Sequence, residues 1–258
     1  MSTSETGIEP STTQSGEPGR NSAFAATHWS IVLAAARSDT PRARDALSKL
    51  CQTYWYPLYG YVRGRGHSRE DAQDLTQEFF ARLLEKNWVG RADRDKGRFR
   101  SFLLTAMKRF LADEWDKARA QKRGGGVPLL SLQFDAAETR WCHEPADEAT
   151  PEQSFERRWV LTLLDDVLQR LRTDYEQEGN TALFAELNPC LVGERTALPY
   201  AELAGKLALS ESAVKSAVHR LRRRYRKLLR DEIAQTVADP GEVDEELRHL
   251  FAVLAGSG

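Results

Sequence analysis

Between Val214 and Arg230 the chain reads V-K-S-A-V-H-R-L-R-R-R-Y-R-K-L-L-R, with eight basic residues and no acidic one. Val214, Val218, Leu221, Tyr225 and Leu228 recur at intervals of four, three, four and three. That spacing lines them along one side of a helix and leaves a cationic side outward. A shorter amphipathic segment precedes it, with Tyr200, Leu203, Ala204 and Leu207 on one face and Pro199 suited to the first helical turn. Ala208, Leu209 and Ser210 break the two, and Ser210 is placed to cap the second helix. Two helices, a tight turn and a basic second helix predict a helix-turn-helix, whose second helix enters the DNA major groove.

The charge is segregated rather than large. The 258 residues carry a formal net charge of −1, yet Val214–Arg230 sums to +8. Asp135–Glu156 holds seven acids against Arg140, and the segment from Asp231 onward holds seven against Arg248, so each sums to −6. No run approaches the ~18 apolar residues of a membrane span, and the first residues have neither a basic start nor an apolar core. Cys51, Cys142 and Cys190 follow no zinc spacing and read as reduced thiols. Cytoplasmic localisation, with no membrane, metal or other cofactor, is the expectation.

Residues 1–23 are rich in Ser, Thr, Gly, Pro and Glu and read as a disordered tail. From 24 to 123 the pattern is helical. Helices are predicted over Trp29–Ala36, over Ala43–Arg63 with an aromatic core cluster, and from Ser68, where Asp71 completes a capping-box pattern. In that third helix Ala72, Leu75, Phe79 and Leu83 form the inward stripe. Asp74, Glu78, Arg82 and Glu85 form a polar row, with Gln77 beside it. A fourth helix begins near Arg98, apolar at its start and basic at its end, with Phe99, Phe102, Leu103, Ala106 and Phe110 as burial candidates. The glycine triple Gly124–Gly126 ends it as a hinge, since it lacks the Gly-Lys-Ser/Thr of a phosphate loop. Residues 124–149 read as an acidic linker without clear periodicity. Thr150-Pro151-Glu152-Gln153 is a strong helix start and opens a second helical domain over 150–235. The remainder, 236–258, is an acidic amphipathic extension with Leu247, Leu250, Phe251 and Leu254 as its apolar face. The fold class predicted is all-α: two helical domains joined by an acidic linker, the second containing the helix-turn-helix.

D-A-Q-D-L-T-Q-E-F-F-A-R-L, F-R-S-F-L-L-T-A-M-K-R-F-L-A-D-E-W and V-K-S-A-V-H-R-L-R, in that order, resemble motifs of bacterial RNA polymerase sigma factors of the extracytoplasmic-function type within the sigma-70 family. The resemblance spans roughly residues 24 to 233. It implies a transcription initiation factor, not an enzyme, whose partners are core RNA polymerase and promoter DNA and which an anti-sigma factor can hold. On the matching positions it implies polymerase contacts at Asp74, Gln77, Glu78 and Arg82. For the −10 element it implies Arg98, Phe99, Phe102, Lys108, Arg109, Trp115 and Arg119, because opened bases stack on rings while cations hold phosphates. For the −35 element it implies Lys215, Ser216, His219 and Arg220 on base edges, with Arg222, Arg223 and Arg226 on phosphates. Three positions depart from the family pattern: Arg109 stands where Asn is usual, Ala208 where Gly is usual, and Ala217 where Arg is common.

Two other readings fit parts of the sequence. A helix-turn-helix repressor or activator that is not a polymerase subunit would need a ligand pocket or dimer surface in the first domain. A metal-dependent nuclease or phosphatase would use Asp71, Asp74 and Glu78, which face roughly one way on a helix. For the extension the sequence allows two roles: a cap on the second domain's core, or a segment folding back over the basic helix to compete with DNA.

Overall fold

The computed structural model describes residues 41–86, 88–93, 97–120, 134–143, 149–192 and 199–256. The tail, the helix expected over Trp29–Ala36 and the glycine triple lie outside these. Within them every regular element is helical: α1 (Pro41–Gly64), α2 (Arg69–Glu85), α3 (Phe99–Ala120), α4 (Phe134–His143), α5 (Pro151–Gln177), α6 (Thr181–Leu187), α7 (Pro189–Val192), α8 (Tyr200–Leu207), α9 (Glu211–Ala234) and α10 (Val243–Leu254), with 3₁₀ turns at Trp88–Arg91 and Pro240–Glu242. No described helix is long and apolar enough to cross a membrane.

The aromatic cluster makes α1 the central post. Tyr54, Trp55, Tyr56, Tyr59 and Tyr61 are all buried, as their density predicts. Trp55 stacks on Phe80 of α2 at 5.5 Å, Tyr54 meets Phe99 of α3 edge-on at 5.6 Å, and Tyr61 meets Phe155 of α5 at 6.5 Å. The start of α2 is fixed by Ser68, whose hydroxyl accepts from the Asp71 N–H at 3.0 Å. At Thr150 both arms of the capping box form: the Gln153 N–H reaches the Thr150 hydroxyl at 3.2 Å, and the Thr150 N–H reaches Gln153 Oε1 at 2.9 Å.

From that cap α5 runs 27 residues, about 40 Å at 1.5 Å per residue. Its first half packs Phe155 and Trp159 into the core shared with α1 and α3. Further along, Tyr175 meets Phe184 of α6 at 5.5 Å and lies under Arg224 of α9 at 5.3 Å. The two halves of the molecule therefore share one helix.

Part of the stretch expected to be a linker is helical. α4 docks on α1 with Ala137 buried. Glu138 accepts from the Tyr59 hydroxyl and pairs with Arg63 at 3.2 Å, and Arg140 lies over Tyr56 at 4.5 Å. The sequence pattern concealed this because α4 is held by polar and cation–π contacts as well as by apolar ones. Burial works to raise the Glu138 pKa, but the Tyr59 hydroxyl, the Arg63 charge and the Cys142 thiol outweigh it and hold the carboxyl below its usual range.

The C-terminal helix is turned differently from expectation. Val243, Glu246, Leu250 and Val253 face inward, Leu247 and Leu254 are half-buried, and Phe251 is 58% exposed. The face is rotated because Glu246 is drawn inward by two arginines of the first half, Arg98 and Arg100. α10 packs on α5 and α9; of the four residues expected to cap the core only Leu250 is buried, and Val253, which was not among them, is buried with it.

Candidate nucleic-acid interface

α3 carries the first surface. Its inner side is Phe99, Leu103, Met107 and Phe110, all buried. Its outer side presents Lys108 and Arg109, both exposed, and Trp115, which is 61% exposed. A cleft of about 940 Å³ opens beside this side, lined among others by Asp71, Asp74, Lys108, Leu111, Trp115 and Glu152. It brings together one residue expected at the polymerase and two expected at the −10 strand. Lys108 bridges to Glu152 at 2.9 Å and, by that hydrogen bond, keeps the Glu152 carboxyl below its usual range.

The remaining residues expected at the −10 strand are placed otherwise. Phe99 is buried, edge-on to Tyr54 and stacked on Phe102 at 5.8 Å. A ring enclosed in this way has no face for a base, so in this conformation Phe99 acts as a core residue. Phe102 is half-buried, and Arg98 is ion-paired with Glu246. The Arg119 side chain lies outside the described residues.

α2 carries the second surface. Asp74 and Glu78 are exposed. Arg82 is half-buried: it pairs with Glu78 at 2.8 Å and with Glu114 of α3 at 2.7 Å, and lies 5.0 Å from the Phe110 ring centre. It therefore ties α2 to α3 as well as bordering the polar row. Gln77 is 9% exposed and belongs to the buried arc with Thr76 and Phe80, a correction to its expected place beside that row at the polymerase. Asp71 is engaged at the cap of α2, where the Ser68 hydroxyl donates to its carboxylate at 2.9 Å. Among the described residues no three His, Cys, Asp or Glu side chains converge as a metal-ligand set.

The third surface lies on α9, reached through α8. Ala208 adopts φ 51° and ψ 39°, the left-handed region that favours glycine. This conformation reverses the chain within three residues and lets Ser210 cap α9, accepting from the Ala213 N–H at 3.2 Å. Val214, Val218, Leu221 and Leu228 are buried and Tyr225 is half-buried, as the stripe predicts. Lys215, Ser216, His219 and Arg220 all lie exposed at the N-terminal half of α9, and Lys215 also pairs with Glu211 at 3.0 Å. Arg223 and Arg226 are exposed further along. Arg222 is turned inward, donating from Nε and Nη2 to the Cys190 carbonyl at 3.1 and 2.9 Å, which makes it a structural tie between α9 and α7. Arg224 is held by Asp174 and Glu178 at 3.2 and 2.7 Å. Arg220, Arg223, Arg224 and Lys227 line a groove of about 520 Å³ against Tyr175 and Asn180. Charge alone could not separate these inward arginines from the outward ones.

Residues 50–121, from the middle of α1 through α3, match the family Sigma-70 region 2. That segment is thus similar to a sigma-70 region 2 domain. Across 188 residues, 73% of this chain, it is 26% identical to the ECF RNA polymerase sigma factor BldN of Streptomyces coelicolor. The aligned part spans 62% of that relative's length. No solved structure matches the chain. The matched segment includes the polar row of α2, the cationic side of α3 and the cleft apart from its Glu152 wall, while the α8–α9 unit lies beyond it.

Proposed function

We propose that this protein is an alternative sigma factor: a non-enzymatic initiation factor, acting in the cytoplasm, that binds core RNA polymerase and directs it to promoters. The observation that carries the reading is the region 2 match, which falls on the helices that present Asp74 and Glu78 on one face and Lys108, Arg109 and Trp115 on another. The first face suits a protein partner. The second suits opened DNA, since an exposed indole offers a stacking plane beside two cations.

The α8–α9 unit supplies the second contact in this proposal. Lys215, Ser216, His219 and Arg220 at the N-terminal half of α9 would meet base edges of the −35 duplex, and Arg223 and Arg226 its phosphates. An anti-sigma protein would act by covering the α2 and α3 faces.

The experiment is co-purification with core polymerase, followed by promoter selection from a random library. The Asp74→Lys/Glu78→Lys variant should bind polymerase at least tenfold more weakly with unchanged helicity by circular dichroism. Binding of DNA without any binding of polymerase would instead support the repressor or activator reading.

A further inference from the structure

Arg98 and Arg100 open the helix of region 2 whose cationic side is assigned above to opened DNA. Both are taken by one carboxylate from the far end of the chain. Arg98 pairs with Glu246, and Arg100 Nη1 lies 2.7 Å from Glu246 Oε1. The Glu246 side chain is fully buried and that of Arg100 is 2% exposed. Arg100 also rests on the Trp159 ring at 4.4 Å and approaches Glu156 of α5 at 3.4 Å. Asp244 of α10 pairs with Arg230 of α9 at 2.5 Å, and the half-buried His249 approaches Glu156 of α5 at 3.4 Å. One twelve-residue helix therefore touches α3, α5 and α9 at once.

A buried ion cluster of this kind contributes little net stability compared with apolar packing, because desolvating the charges offsets their attraction. Its best-attested use is to set register or to switch. A carboxylate held between two guanidinium groups also occupies the place that a phosphate oxygen would take. Beside the pair, a hollow of about 250 Å³ is lined by Gly97, Arg98, Thr236, Val237, Ala238, Glu242 and Glu245, so the rest of the approach is acidic too. Phe251 and Asp244 stay exposed on the outer face of α10, where a displacing partner could grip it.

We propose that α10 is an autoinhibitory latch: in the free protein it holds the Arg98–Arg100 end of region 2 closed to nucleic-acid phosphate, and its departure exposes that end to the promoter strand. The proposal rests on the sigma-factor reading for the identity of the ligand. It places the blocked surface on region 2 and not on the basic helix α9, whose Lys215 end α10 does not reach through any described ion pair.

The test uses a fluorescent mixed-sequence single-stranded DNA and three proteins: the full chain, the full chain with Glu246→Gln, and a chain ending at Ala238, which keeps the buried Thr236 and Val237. The shortened chain should bind at least tenfold more tightly at 50 mM salt, and the gain should narrow at 200 mM as screening weakens both contacts. Glu246→Gln should give part of the gain while circular dichroism shows a folded protein. Arg98→Ala in the shortened chain should remove most of the gain, and a synthetic peptide of residues 239–258 should restore weak binding. Unchanged DNA affinity in Glu246→Gln and in the shortened chain, with only a lower melting temperature, would overturn the latch and leave α10 as a brace. Polymerase binding, measured separately on the full chain, reports on the sigma reading, so that failure is distinguishable from failure of the latch.

Discussion

Arg158 of α5 lies directly over Gly60 of α1, so close that a Cβ added at Gly60 would stand 2.7 Å from the arginine Cδ and Nε. Arg158 is buried and lies 4.6 Å from the centre of the Trp141 ring of α4, which closes its escape on that side. Three helices meet at this point, and only a residue without a side chain fits beneath the guanidinium.

Gly60→Ala should therefore destabilise the protein by about 1–3 kcal/mol through overpacking. The check is chemical denaturation of the single variants and of Gly60→Ala/Arg158→Ala. If the contact is the cause, the alanine at 60 costs much less when Arg158 is already truncated. Strict additivity of the two costs would show that the wedge acts elsewhere.

Ala208→Gly should raise stability by about 0.5–1 kcal/mol. The left-handed backbone at φ 51° costs an alanine roughly 1–2 kcal/mol, partly offset by the greater freedom that glycine adds to the unfolded chain. A lower urea midpoint for the glycine variant would contradict that accounting.

Asp166 makes stability depend on pH. Burial, then the neighbouring charges of Asp165 and Glu232, push its pKa from 3.8 up to about 7, against the opposing pull of Arg140. Between about pH 4 and pH 7 the folded state holds a proton that the unfolded state has lost. Its contribution is fully present below that window, falls as pH rises through it, and is gone above about pH 7. Asp166→Asn should raise the melting temperature at pH 8, by an amount equivalent to roughly 1–4 kcal/mol, and change it little at pH 4.5. Equal shifts at both pH values would mean that the carboxyl does not titrate in this range.

On α9 two neighbouring arginines should behave oppositely. Arg222→Ala leaves the Cys190 carbonyl without its donor and should cost roughly 1–3 kcal/mol of folding stability. Arg223→Ala should leave stability near that of the parent, weaken DNA binding across sequences, and lower the salt slope by about one. Lys215→Ala or Arg220→Ala should instead relax sequence preference, at a cost of about 1–3 kcal/mol on the preferred site. A sequence-by-salt matrix of DNA affinities, beside melting curves, separates the three behaviours.

Periodicity and capping carried the helices over Pro41–Gly64, Arg69–Glu85, Phe99–Ala120, Pro151–Gln177 and Glu211–Ala234, because Ser68, Thr150 and Ser210 each mark a start by local chemistry. What periodicity leaves open is the width of a buried arc. Gln77 and Asp74 are both polar, yet only Gln77 is buried. Nor does it reveal pairings across long separations. Glu246 and Arg98 are nearly 150 positions apart, and nothing local to either marks the other. Phe99 carries two expectations at once, as a burial candidate and as a base-stacking ring, and its enclosure by Tyr54 and Phe102 selects the first in this conformation.

The helix shared by both halves has a consequence for which lengths of this chain can exist. Phe155 and Trp159 address one neighbour, and Leu171 and Tyr175 another, from a single uninterrupted helix. One residue inserted between them would turn the two sets apart by about 100° and misalign every contact beyond it. Seven residues, close to two full turns, would nearly restore the rotation while lengthening the helix by roughly 10 Å. Natural variation in this stretch should therefore come in whole turns or not at all.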